Sequence, residues 1–280
     1  MTKIHTYSTS EAGLSVNAFL VETSNGIVAI DATLTQSDSL ALKQMIQAIG
    51  KPLLAVLLTH GHPDHVAGVT NLVEGSSTPI ISLQSIKDLM QRTEAAKHAQ
   101  WSGMFGPEWI NKWTYPNEIV QNGQAVQLDG LNFRVHDLGA GGDCDANSIW
   151  ILESETPAAF VGDLVYNQHY TYMADGAILR WLANLERFRP VLVGHKFYVG
   201  HGKEGYVGLL DQQKEYFITY CSTLLQLTHG SAHLDQAMTD EFVRQIQQAY
   251  PGYGLSFMIG LGAGKVAQEL ANPSFASVSN

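Results

Sequence analysis

Leu53-Leu54-Ala55-Val56-Leu57-Leu58 is followed, after Thr59, by His60-Gly61-His62-Pro63-Asp64-His65. The first run is apolar and short, the pattern of a buried strand. The second places three imidazoles and a carboxylate within six residues. Pro63 disfavours the α conformation at His62, so His60 to His62 is extended and both rings face one side. Pro63 also opens a helix running through Val66 to Val73. Asp64 and His65 fall on its first turn, where adjacent residues point in different directions, so they reach a different place from His60 and His62. One short segment can therefore serve two neighbouring metal ions. Neutral imidazole and carboxylate suit zinc, iron or manganese, with no thiolate needed. The competing reading is a strand-to-helix turn that is merely polar. It explains a single histidine better than three beside an aspartate.

At 280 residues the chain is one large domain, or one domain with an appendage, and long enough for a sizeable core. Hydrophobic residues make up 45% and charged residues 15%, which fits an ordinary globular enzyme and excludes a disordered or fibrous chain. A net charge of -10 without clustered Lys and Arg argues against a nucleic-acid partner. Cys144 and Cys221 are too few for a disulfide framework and fit a reducing compartment. No apolar run approaches a membrane span, and the N-terminus carries no signal-peptide core. The expectation is a soluble cytoplasmic protein acting on a small molecule, with a homodimer compatible with the sequence.

Along the chain, Leu14 to Glu22 and Ile27 to Asp31 flank Ser24-Asn25-Gly26 and read as a hairpin. Ser37 to Ile49 has helical spacing and stops at Gly50. Pro79 to Ser82 reads as a strand and Leu83 to Gln100 as a helix. Strands are expected at Gln124 to Leu128, Asn132 to His136, Ser148 to Glu153, Ala158 to Val161 and Val191 to Val193. A helix covers Ala177 to Arg187, and from Glu204 the chain is helical, with breaks near Gly230 and Pro251-Gly252. Two β-rich halves carrying helices suggest two sheets covered on both outer faces. Between Trp101 and Tyr115 lie Met104, Phe105, Trp109 and Trp113, broken by Gly103, Gly106 and Pro107. This stretch is either a satellite core or a hydrophobic lid over the site.

Further ligands are expected at strand ends. Gly162-Asp163 ends Ala158 to Val161 and offers a carboxylate that could bridge two ions. Gly200-His201-Gly202 sets an imidazole between glycines, which let the backbone turn sharply. His195 has glycine on one side only and is the weaker alternative to His201.

The order of these motifs resembles the metallo-β-lactamase-fold superfamily, over roughly Leu14 to Gly202. The resemblance implies an α/β four-layer αββα sandwich in residues 1–205, with residues 206–280 as a helical extension packed on it. It implies that His60 and His62 hold a first divalent ion, that Asp64, His65 and His201 hold a second, and that Asp163 bridges them. Zinc is the expected metal, with iron or manganese as alternatives. The family usually carries Pro-Gly-His where this chain has Leu138-Gly139-Ala140-Gly141-Gly142-Asp143-Cys144-Asp145-Ala146-Asn147. Asp143 is the nearest substitute for that histidine, with Asp145 and His136 as poorer candidates. Such a carboxylate resembles alkylsulfatase-type members. Tyr166, three residues after Asp163, matches a tyrosine of the acyl-homoserine lactonase branch. His169, Tyr170 and Tyr172 either line the pocket or pack around a loop.

These readings imply a metal-dependent hydrolase of a small apolar ester or lactone, with Asp64, Asp163 and Tyr166 in catalytic roles. Sulfate or phosphate ester and thioester hydrolysis are alternatives. A mononuclear iron dioxygenase, built on two histidines and a carboxylate, is the alternative of another class.

Overall fold

The computed structural model describes residues 2–175 and 177–272, so the last eight residues of the expected extension lie outside it. The chain begins with a strand that its polar residues did not announce, β1 (Lys3–Ser8). It pairs antiparallel with β2 (Asn17–Glu22), which forms the expected hairpin with β3 (Ile27–Ile30). The hairpin's first strand starts at Asn17 and not Leu14, because Leu14 and Ser15 adopt positive φ (66° and 52°). Helix α1 (Gln36–Ile49) is capped by Thr35 accepting from Asp38 N and ends at Gly50. Then β4 (Leu53–Leu57) runs parallel to β3.

The helix expected after Pro63 is broken in two, α2 (Pro63–Val66) and α3 (Val69–Val73). At the break, Gly68 N donates to Thr33 O at 2.7 Å, which pulls the chain onto the segment after β3. The chain continues with β5 (Ile80–Leu83) and α4 (Gln84–Phe105), which ends five residues later than expected. Next come β6 (Glu118–Val120), β7 (Ala125–Leu128), β8 (Leu131–Gly139), β9 (Asn147–Glu153) and β10 (Ala158–Gly162). Helix α5 (Ile178–Leu192) overruns the strand expected at Val191 to Val193. That strand is instead β11 (Lys196–Val199), after a turn at Gly194. Helices α6 (Gly208–Thr228), α7 (Gln236–Ala249) and α8 (Met258–Leu270) complete the chain.

The strands form a six-stranded sheet in the order β1 to β6 and a five-stranded sheet, β11-β10-β9-β8-β7. The alternation along β9 explains how they stack. Trp150 and Leu152 join the core shared with Phe19, Phe133 and Phe160, between the sheets. Ile149 and Ile151 point the other way, into a second core with Trp181, Leu185, Phe217 and Val266 of α5, α6 and α8. Both faces of the second sheet are buried, giving the αββα sandwich. The aromatic stretch belongs to the first core: Trp109 and Trp113 are buried in it, and Trp101 and Phe105 pack against it. A separate satellite core is therefore not what the fold contains.

The sheets are sewn together at one edge. Ser148 N donates to Thr59 O at 2.7 Å, and Trp150 Nε1 to Leu58 O at 2.9 Å. Asn17 N donates to Gly200 O at 2.8 Å, and its Nδ2 to Val199 O at 2.9 Å. This edge collects the carboxyl ends of the parallel strands β3, β4, β10 and β11, where α/β proteins place their ligands.

Candidate metal centre

Every expected ligand reaches this edge from a strand end or the loop after it. His60, His62, Asp64 and His65 follow β4, Asp143 lies between β8 and β9, Asp163 follows β10, and His201 follows β11. All of them are buried. His60, His62 and Asp143 bring ligand atoms within 4.8 Å of one another, and so do Asp64, His65 and His201. Asp163 lies beside the second group: Oδ1 is 3.4 Å from His65 Nε2, and Oδ2 is 3.3 Å from His201 Nε2. Gly200 permits that approach, because a Cβ there would lie 1.9 Å from Asp163 Oδ1.

The imidazoles are oriented from behind. Thr59 Oγ1 donates to Asp31 Oδ2 at 2.6 Å, so at 3.0 Å it can only accept from His60 Nδ1–H. His65 Nδ1 donates to Asp31 Oδ2 at 2.9 Å, and His201 Nδ1 to Leu14 O at 2.9 Å. His62 is turned the other way: Nε2 donates to Asp175 Oδ2 at 2.8 Å, while Nδ1 faces Asp143 Oδ2 at 2.6 Å. In each ring one nitrogen is anchored and the other is aimed inward, the arrangement by which outer partners fix metal-binding histidines. Asp31 also falls within reach of His60 and His65, but both its oxygens are spent on Thr59 and His65.

Whether a cation suits these residues can be judged from their unmet bonding. His60 Nε2, His65 Nε2, Asp143 Oδ1 and Asp163 Oδ1 are buried and have no hydrogen-bond partner. Buried polar atoms normally have one, and four converging orphans on oxygen and nitrogen fit a divalent ion.

The charges follow from the same packing. Burial holds His60 well below its ordinary pKa, aided by His65. Burial also acts against the His62 cation, but the Asp143 charge and hydrogen bonds raise it to about 10. His65 is raised to about 9 by Asp163 and Asp64 against the same penalty. Asp143 is pushed up by burial, to about 6. Tyr166 donates a short hydrogen bond to Asp163 Oδ2 and lies 3.4 Å from Asp143 Oδ2. Its ring stacks on His201, with centroids 4.9 Å apart, and burial keeps its hydroxyl protonated.

The remaining candidates are elsewhere. Asp145 is exposed and pairs with Arg92, His136 packs beside Phe188, and His195 sits in the turn before β11. Cys144 is buried and donates to Ala146 O and Asn147 Oδ1. Gly141 makes room for Asn184. A Cβ there would strike Asn184 Nδ2 at 2.0 Å, the group that ties Leu138 O and Gly141 O to α5. Tyr172 lines the cleft, whereas Tyr170 donates to Tyr250 O and packs.

Above the cluster is a cleft walled by Leu14, Leu34, Trp101, Phe105, Trp109 and Phe257. The aromatic stretch is thus a fixed wall of the cleft, rooted in the core. Sequence reasoning missed Asp31, Asp175, Lys97 and the Leu14 carbonyl. A signal existed for Asp31, an acid closing the apolar strand beside β4. Lys97 also had one, since it shares a helical stripe with Ile86, Leu89 and Met90.

The profile of the metallo-beta-lactamase superfamily matches residues 12–215, and the chain belongs to that family. The hydroxyacylglutathione hydrolase GloC of Haemophilus influenzae is 30% identical over 125 residues, 45% of this chain and 56% of that protein. The chain spans about half, or less, of the length of the curated relatives it matches. A beta-lactamase domain protein from Burkholderia ambifaria superposes with a TM-score of 0.72 at 15% identity, covering 96% of this chain and 86% of that one. TTHA1623, solved in a di-iron-bound form, superposes with a TM-score of 0.60 at 27% identity, covering 76% of this chain and 99% of that one. No helix among the described residues is long and apolar enough to cross a membrane.

Proposed function

We propose that the protein is a metal-dependent hydrolase of a small, largely apolar carboxylic ester or lactone. His60, His62 and Asp143 would hold one ion, Asp64, His65 and His201 a second, and Asp163 would face both. The observation that carries this reading is the pair of three-residue groups at the floor of one apolar cleft. Bound there, divalent ions supply a water acidified toward neutral pH and a Lewis acid for the acyl oxygen. The chain's own residues do the rest. Asp64 and Asp163 orient the attacking water and hold its proton for the leaving group. Tyr166, kept protonated, donates to Asp163 and so orients that carboxylate at the floor of the cleft. The aromatic wall excludes bulk water and packs an apolar acyl chain. Phe257 and Met258 also line the cleft, so the helical extension from residue 206 belongs to the same working unit in this reading.

Zinc, iron and manganese all suit the second group. Asp143 adds an anion where an imidazole is usual, which favours the harder iron or manganese in the first. The di-iron form of TTHA1623 supports iron. A thioester substrate is the second reading, favoured by the similarity to GloC. Metal analysis of protein purified without chelator, alongside rates on esters, lactones and thioesters, tests the proposal. The expected result is two ions per chain and hydrolysis of apolar esters or lactones. One tightly held ion with full activity, or loaded protein inert across the panel, would overturn it.

A further inference from the structure

Lys97 occupies the inward stripe of α4, where an apolar residue is expected, and is only 9% exposed. It is the only lysine or arginine lining the cleft among the described residues. Its Nζ lies 3.4 Å from Tyr172 Oη and 3.7 Å from Asp175 Oδ2. Both distances exceed the roughly 2.7–2.9 Å of a charge-assisted hydrogen bond. Asp175 Oδ2 is already committed to His62 Nε2 at 2.8 Å. An ammonium has three donors, so this one is buried in the cleft wall with bonding capacity unspent. Tyr172 offers a hydroxyl beside it, and Trp101, Phe105 and Trp109 form the apolar surface alongside.

We propose that Lys97 and the Tyr172 hydroxyl bind a carboxylate carried by the substrate. The enzyme then selects amphipathic acyl compounds, with the apolar body on the aromatic wall, the anionic end at Lys97 and the scissile bond over the histidines. The carboxylate is favoured over a phosphate or sulfate dianion because one ammonium and one hydroxyl match a single negative charge. Asp175, 3.7 Å from Nζ, repels a second. The selectivity rests on the hydrolase reading, while the anion site itself does not. The rival role for Lys97 is a counter-ion that merely holds Asp175.

The test compares the full-length, metal-loaded protein with Lys97→Met and Lys97→Arg on two matched aryl esters. One is 4-nitrophenyl butyrate and the other the 4-nitrophenyl monoester of glutarate, which ends in a carboxylate. Wild type should prefer the carboxylate ester. Lys97→Met should raise KM for it about 10–100-fold, the factor carried by one charge-assisted hydrogen bond, with the neutral ester changed less than about threefold. Lys97→Arg should keep most of the preference. Tryptophan fluorescence gives a readout without turnover: 4-phenylbutyrate should bind more tightly than its amide, and Lys97→Met should abolish the difference. Should Lys97→Met fail to fold, Lys97→Gln takes its place. Equal losses on both esters, or an undiminished preference in the variant, would overturn the proposal. Lys97-dependent binding of 4-phenylbutyrate without hydrolysis of any ester would keep the anion site and remove the hydrolase reading.

Discussion

The two halves of the proposed centre use the same chemistry on different supports. In the second half, His65 is anchored on Asp31, a buried carboxylate itself held by Thr59, and His201 on a backbone carbonyl. Asp31 directly follows β3, and its φ of 58° is a strained geometry that the surrounding contacts enforce. In the first half, His62 is anchored on Asp175, whose side chain is 36% exposed in the segment before α5. The third ligand, Asp143, comes from a loop. Groups on strand ends are held more narrowly than groups on loops. The second half is therefore built to be rigid, and the first can adjust to its metal.

The largest effect is expected at Asp143. Asp143→Asn should lower first-half metal affinity and turnover by more than the ~10–100-fold typical of losing a supporting partner. Asp145→Asn should stay near wild type, since Asp145 is exposed and paired with Arg92. Asp143→His should retain metal and shift preference toward zinc. Metal titrations and rates on the three variants decide. If Asp143→Asn keeps wild-type metal content and turnover, the first half is completed by another group. Next in size is Asp31→Asn, which removes the acceptor of both Thr59 and His65. Second-half affinity should fall toward the ~100-fold end of that range, with a lower melting point. Asp175→Asn should cost the first half nearer ~10-fold, with little change in melting. Equal costs at the two aspartates would erase the distinction between the halves.

How far the sequence could be read depended on how local each ligand's pattern is. The ligands of His60 to His65, which fall in both halves, and His201 within Gly200 to Gly202 sit in tight local patterns and were legible. Both follow strands whose apolar runs or register are short-range features. Both sheets and most helices were legible for that reason too. The break at Gly68 was not, because it comes from Gly68 packing on Thr33, a contact that helical spacing does not encode. The strand at Lys196–Val199 was misplaced to Val191 to Val193, because α5 carries Pro190 inside it and continues to Leu192. Asp175 meets His62 only through tertiary packing, across a separation of 113 residues in the chain, and no local rule finds it.

The smallest effect concerns the protons that both halves hold in the metal-free protein. His62, in the first half, has a pKa raised to about 10, and His65, in the second, to about 9. Both start from about 6.5 in the unfolded chain. A raised value means the folded state binds the proton more tightly. The stability each supplies is complete below about pH 6.5 and is lost as pH rises through the folded value. Asp64 and Asp163 are lowered, and their contribution is lost instead as pH falls below the ordinary carboxylate range. The metal-free protein should therefore melt progressively earlier between about pH 6.5 and 10, by a few degrees, and again in acid. Ring-carbon chemical shifts should show both rings keeping their protons well above pH 6.5. Metal displaces these protons, so the loaded protein should show neither ring titrating across that window and no alkaline loss of melting temperature. If both rings of the metal-free protein titrated near 6.5, the carboxylates would not be holding them as the geometry requires.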